Sequence, residues 1–298
     1  VRLTLFIYYL ETPKNKGVRG NMTETIEAKS LTLSYGNSII INNLDLSIPV
    51  GKVTILIGSN GCGKSTLLRS IARLLKPSEG SILLDGKNVF KLTNKQVAKE
   101  LSILPQSPVA PEGLTVLQLV KQGRYPHQSW HSQWSQEDEE IVMNALISTG
   151  VEHLKDKPIE ELSGGQRQRA WIAMTLAQNT DIILLDEPTT YLDLTHQIEI
   201  LDLLYKLNKQ QKRTIIMVLH DINLACRYAD YIITVRNQTV YKKGKPEDII
   251  TKSLVKNVFD LESEIINDPI FGTPMCIPYG KGRSILKGEA VLNGVASY

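Results

Sequence analysis

Residues 53–65 constrain this chain more than any other stretch. Five apolar residues, Val53 to Ile57, run directly into Gly58-Ser59-Asn60-Gly61-Cys62-Gly63-Lys64-Ser65. From Ser65 onward Leu67, Leu68, Ile71, Leu74 and Leu75 recur at the spacing of one helical face. Strand, glycine-rich loop and helix in that order match G-x-x-x-x-G-K-S/T in the context the pattern requires. The glycines let backbone amides turn toward phosphate oxygens, and the helix N-terminus adds partial positive charge. Lys64 can bridge the outer phosphates and Ser65 can ligate magnesium, while Ser59, Asn60, Cys62 and Thr66 complete the surround. A glycine-rich turn with an exposed lysine is the plain alternative, and the flanking strand and helix weigh against it.

Two later runs, 182–185 and 214–219, are continuously apolar, as in strands covered by helices on both faces. Helical segments separate them, so a parallel α/β sheet is expected, with its working residues beyond the strands' carboxyl ends. Ahead of it, residues 26–34 alternate polar and apolar and 39–48 are rich in isoleucine and leucine. These predict an antiparallel strand region turning at Tyr35-Gly36-Asn37. Between about 105 and 177 strand runs give way to helical stretches broken by proline and glycine, which predicts a helical subdomain inserted into the sheet domain. After Thr251 the pattern weakens, and Pro269, Pro274 and Pro278 make 266–280 a poor helix. The expected division is an N-terminal extension at 1–21, a main domain at 22–250, and a small appendage of strands and turns at 251–298.

With 298 residues, 42% hydrophobic and 22% charged, the chain can bury a full core, and the composition excludes collagen, disorder and a disulfide scaffold. Three cysteines, Cys62, Cys226 and Cys276, without CxxC spacing suit a reducing compartment and argue against zinc. No apolar run approaches the roughly 20 residues of a membrane helix, so contact with a membrane would go through a partner. The net charge of +3 resides in residues 1–21, where Arg2, Lys14, Lys16 and Arg19 face only Glu11. Nucleic acid is therefore not an expected partner. That extension reads as disordered or non-native with Met22 the natural start. Its apolar residues 3–10 lack the small-x-small cleavage pattern of a signal peptide.

Residues 182–185 deliver two adjacent carboxylates, Asp186 and Glu187, to the expected site. Asp186 would hold magnesium, through water, and Glu187 would orient and polarise an attacking water. A strand end with two solvated acids is the other reading. Leu162-Ser163-Gly164-Gly165-Gln166 precedes a helix through Gln178, making a second helix N-terminus of small residues. There Ser163 and the amides of Gly164 and Gly165 could also grip phosphate. Alone, such a stretch is a linker or a cap.

These segments, in this order, resemble the ATP-binding subunits of ABC transporters, over about residues 27–244. The resemblance implies an α/β fold: a P-loop NTPase (RecA-like) parallel-sheet core, an N-terminal antiparallel β subdomain and an inserted α-helical subdomain. It assigns Tyr35 to stacking on adenine, and Gln106 to γ-phosphate sensing, the metal site and the link to the helical subdomain. It places Asp193 in a loop between subunits and His220 against the γ-phosphate. Each of these four alone reads as a packing or capping residue; their joint order outweighs that. ATP and Mg2+ are implied, together with a head-to-tail second copy, so that Lys64 of one copy and Ser163 to Gln166 of the other grasp one triphosphate. Two integral-membrane permeases, indirectly an extracytoplasmic substrate-binding protein, and a place at the cytoplasmic face of the membrane follow in turn.

Gly123-Arg124-Tyr125-Pro126-His127, Gln166-Arg167-Gln168-Arg169 and Thr189-Thr190-Tyr191-Leu192-Asp193 resemble the ferric-siderophore branch of the importers. Haem or cobalamin import and a soluble, non-transport ABC ATPase are the alternatives. Ser59 stands where the family often has proline and Cys62 where it often has serine. Both positions act through backbone, and Cys62 sits beside a helix N-terminus, where thiol reactivity rises. Residues 107–134 are the expected coupling surface, with Trp130 and Trp134 either interface anchors or local core.

Overall fold

The computed structural model describes residues 24–128 and 134–280; the expected extension at 1–21, Met22 and Trp130 lie outside the described residues. Strands β1 (Glu24–Tyr35) and β2 (Ser38–Pro49) pair antiparallel through a turn at Gly36 and Asn37. Their inward residues Leu31, Leu33, Ile41, Leu44 and Ile48 are buried. With β4 (Glu79–Leu84) and the short β5 (Lys87–Asn88) they form a four-stranded sheet in the order β2-β1-β4-β5.

The second sheet joins β3 (Val53–Ile57), β6 (Leu101–Leu104), β7 (Ile182–Leu185), β8 (Thr214–Val218), β9 (Tyr231–Arg236) and β10 (Thr239–Gly244). The order is β10-β9-β3-β8-β7-β6, parallel throughout except for β10, which runs against β9. Every residue of β3, β7 and β8 is buried. Because successive side chains point to opposite faces, one strand feeds two cores. Ile55, Ile57, Ile183, Leu185, Ile215 and Met217 face the helices of the inserted region. Leu56, Ile182, Leu184, Ile216 and Val218 face β1, β2 and helix α1 (Lys64–Ile71).

Helix α1 ends earlier than the apolar spacing suggests. Arg73 takes φ +65 and Leu74 is 64% exposed, whereas Leu75 packs on the core. Periodicity reports a face but not a stop signal.

Past α2 (Asn94–Glu100), the expected helical region is built from α3 (Val116–Gln122), α4 (Gln136–Ser148) and α5 (Gly164–Ala177). All three start with a capping box: Thr115 with Gln118, Ser135 with Asp138, and Ser163 with Gln166. Trp134 is locally packed, its Nε1 donating to Glu139 Oε2 at 2.7 Å under the Lys121 ammonium.

Helices α6 (Leu194–Gln211) and α7 (Ile222–Tyr228) flank β8 in sequence, and the short α8 (Pro246–Ile249) follows β10. The tail contains a helix the sequence reading did not anticipate, α9 (Lys252–Phe259), capped by Thr251 and burying Leu254, Val255 and Val258. After it come β11 (Ser263–Asn267) and β12 (Pro274–Pro278), an antiparallel hairpin. Among the described residues no helix is long and apolar enough to cross a membrane.

Candidate active site

Strand order makes the site. Neighbouring strands β3, β8, β7 and β6 end side by side, and the residues just past them meet there. Beyond β3 the loop folds tightly over itself. Gly58 (φ +155) has no room for a side chain, since a β-carbon would lie 2.3 Å from the Val235 carbonyl oxygen. Gly63 (φ +102) caps α1 in a conformation only glycine adopts freely. Lys64 is 5% exposed, and its ammonium donates to the carbonyls of Gly58 and Ser59, both at 2.9 Å. The charge is thus held inside the loop.

Ser65 Oγ donates to Asp186 Oδ1 at 2.7 Å. Asp186 follows β7 in a buried position, and its second oxygen, Oδ2, has no hydrogen-bond partner. Burial pushes the Asp186 carboxyl above the usual carboxylate range; the Ser65 bond opposes this and the neighbouring Glu187 charge adds to it. Glu187 follows with φ +53, a strained setting for a non-glycine residue. Its carboxylate is held from three sides. Oε1 accepts from His220 Nε2 at 2.7 Å, and Oε2 accepts from Gln106 Nε2 at 2.6 Å and Thr190 Oγ1 at 3.0 Å. Gln106 comes from beyond β6, and His220 from beyond β8.

These groups surround an open cleft of about 830 Å³. Gly58, Ser59, Asn60, Gly61, Gly63, Lys64, Ser65, Thr66, Gln106, Glu187 and His220 line it, and Asp186 lies beneath. Cys62 is not in the lining; its Sγ lies 3.7 Å from the Lys64 ammonium. Ile40 and Phe259 line the cleft without having been selected from the sequence, and so do Thr190 and Tyr191, which stood there only in a branch resemblance. Thr190, three residues past Glu187, was within reach of motif reasoning; Phe259, at the end of α9, carried no sequence signal.

The remaining expected residues do not enter the cleft. Tyr35 is half-exposed at the end of β1. Ser163 caps α5, its hydroxyl accepting from Gln166 N at 3.3 Å while Gln166 Oε1 accepts from Ser163 N at 3.1 Å. Asp193 caps α6, accepting at Oδ1 from His196 N at 2.9 Å and His196 Nδ1 at 2.7 Å. The backbone bond from His196 is the main cause that holds the Asp193 carboxyl below its usual range. Gly164 has open space around it, whereas Gly165 is pressed against His196. Ser163 to Gln166 and Asp193 thus form a second polar surface apart from the cleft lining.

A buried parallel sheet, a phosphate-binding loop leading into α1, and a carboxylate poised over it define a P-loop ATPase. Within that class the chain belongs to the ABC transporter family, whose sequence profile matches residues 41–190. It is 63% identical over 269 residues to the petrobactin import ATP-binding protein FpuD of Bacillus anthracis, covering 90% of this chain and 98% of that one. It is 49% identical to the iron(3+)-hydroxamate import ATP-binding protein FhuC of Bacillus subtilis (strain 168), covering 90% and 98%. The fold superposes with TM-score 0.66 on the dimeric ATP-binding cassette MJ0796 bound to ADP and Pi, at 31% identity, covering 74% of this chain and 98% of that one. The chain is an ATP-binding, ATP-hydrolysing subunit of an ABC transporter.

Proposed function

We propose that this subunit powers import of a ferric-siderophore-type iron complex through two membrane permeases, working as a head-to-tail pair of copies at the cytoplasmic face of the membrane. An extracytoplasmic binding protein would hand the complex to the permeases. Hydrolysis rests on one observation above the others: the Glu187 carboxylate, fixed by Gln106, Thr190 and His220 at the mouth of the Lys64 loop. The cargo rests on the similarity to the two iron-related import proteins named above.

Lys64 can exchange its two loop carbonyls for phosphate oxygens, since a phosphate adds ion–ion attraction that a neutral carbonyl lacks. Ser65, Asp186 with its unpartnered Oδ2, and Gln106 form an oxygen donor set that suits Mg2+. Gln106 turns its amide nitrogen to Glu187, which leaves its oxygen for the cation. When bound, the ion neutralises charge on the outer phosphates. Glu187 orients and polarises the attacking water, and His220, paired with that carboxylate and lining the same cleft, would contact the γ-phosphate. Ser163, Gly164, Gly165 and Gln166, with Asp193, lie off this cleft, so their phosphate-binding amides suit the nucleotide of a second copy.

The test is uptake. Deleting the gene abolishes uptake of labelled ferric siderophore, and Glu187→Gln fails to restore it. Loss of haem or cobalamin uptake with unchanged siderophore uptake would reassign the cargo. The pairing has its own test: Glu187→Gln with MgATP sediments as a dimer, and a persistent monomer would refute the pairing.

A further inference from the structure

The N-terminal turns of α5 and α6 touch at one place with no free space. A β-carbon on Gly165 would lie 2.5 Å from Cδ2, 3.0 Å from Cγ and 3.1 Å from Nε2 of His196. The imidazole therefore lies directly against the glycine backbone, where no larger residue at 165 would allow it. The ring is also fixed from behind. Asp193 Oδ1 accepts from both His196 Nδ1 and His196 N, so one carboxylate starts α6 and orients the ring. Because that carboxylate only accepts, Nδ1 carries the proton. One turn further along, Arg169 of α5 pairs with Glu199 of α6. Four residues separate Gly165 from Arg169 and three separate His196 from Glu199, so both contacts lie on a single face of each helix.

From this clamp we propose that His196 is a positioning residue for ATP turnover: it locks the helix headed by Ser163 to the loop ending at Asp193, so that the two move as one body. The proposal rests on the two-copy reading above. In that reading the amides at the start of α5 meet the nucleotide held by the partner's Lys64 loop, and misplacement of about 1 Å can cost about 10²-fold in rate. His196 touches no nucleotide; it aims the groups that do. The role calls for a flat side chain with one donor, because the ring must both pass over Gly165 and reach Asp193.

Steady-state hydrolysis by the full chain reads this out. His196→Ala should lower kcat at least tenfold with KM for ATP changed less than twofold, because the Lys64 cleft is untouched. Asn places an amide hydrogen where Nδ1 stood, so His196→Asn should recover much of the rate. His196→Leu, with bulk but no donor, should not. Melting midpoints of all three should stay close to the parent's, since the side chain is 39% exposed. Parental kcat in His196→Ala, or equal loss in the Asn and Leu variants, would overturn the proposal. Sedimentation of Glu187→Gln with MgATP, His196 intact, separates the two failures. A dimer there together with parental kcat in His196→Ala removes the role of His196 alone, whereas a monomer removes the two-copy reading and this proposal with it.

Discussion

A carboxylate has about four acceptor sites; at Glu187 three are taken, which fixes the group and lowers its basicity while leaving one site for the attacking water. Thr190 Oγ1 at 3.0 Å is the longest of the three bonds and comes from a side chain that also faces the cleft. Replacing the carboxylate with an amide keeps the acceptor for Gln106 but removes the charge that polarises the water. Glu187→Gln should therefore lower phosphate release by about 10²- to 10⁴-fold with ATP affinity within about twofold, checked by equilibrium binding beside the kinetics. Phosphate release at the parental rate would remove Glu187 from the chemistry. Lys64, Ser65, Asp186 and Glu187 were legible because each belongs to a short contiguous pattern whose geometry the local chain dictates. Thr190 stood in a branch resemblance but was given no role at the site, although its hydroxyl is local to Glu187. Phe259 and His196 were out of reach, since each acts through a contact made only once distant helices pack.

At the scale of elements, a strand was legible in proportion to its burial. β3, β7 and β8 are covered on both faces and read as unbroken apolar runs. In β6 Ser102 interrupts the apolar run, and β10 carries the exposed pair Lys242 and Lys243 on the sheet edge, so neither leaves such a trace. The Gly123 to His127 stretch marked a resemblance in the sequence; in the fold it also packs α3 against α4 and α5. A β-carbon on Gly123 would lie 2.3 Å from the Met174 carbonyl oxygen. Arg124, 4% exposed, donates to Asp138 Oδ1 at 2.7 Å and to the Ala177 carbonyl at 3.0 Å, closing the end of α5. Arg124→Ala strands a buried carboxylate and should cost about 3–5 kcal/mol in urea unfolding, with Asp138→Asn recovering part of it. Burial alone would raise the Asp138 carboxyl, but hydrogen bonds from Arg124 and Ser135 outweigh it and hold it below the usual range. A carboxyl depressed in the folded state contributes stability above its unfolded pKa of about 3.9 and loses it as pH falls through the lower folded value. The parent's unfolding free energy should thus drop more steeply below about pH 4 than that of Asp138→Asn. Parallel profiles would place the acid sensitivity elsewhere.

For the molecule as a whole, the question is how a tail begun some 30 residues after His220 can matter to a site beyond the carboxyl ends of the strands. Two cores share one sheet, and α9 adds Leu254 and Val258 to the core on the helical side. Fully burying an aliphatic side chain contributes about 1.5–3 kcal/mol, so this pair alone is a sizeable share of the 5–15 kcal/mol typical of a domain. The end of α9 brings Phe259 to the cleft, and β12 lies along α7, whose capping residue Asp221 immediately follows His220. Asn223 clasps the two, accepting from Cys276 N at 2.7 Å and donating to Cys276 O at 3.2 Å, while Arg227 pairs with Asp268 at 2.8 Å. The tail thus braces the helix that follows His220, and His220 in turn holds Glu187. Loosening the brace should reach the site without touching it. Asn223→Ala deletes both clasp bonds, which at about 1 kcal/mol each predicts a loss of roughly 1–3 kcal/mol in urea unfolding with the fold retained. Phosphate release should fall several-fold while ATP binding, set by the Lys64 loop, stays near parental. A variant that loses stability yet hydrolyses at the parental rate would show that α7 keeps His220 in place without the hairpin, and that the tail serves the core alone.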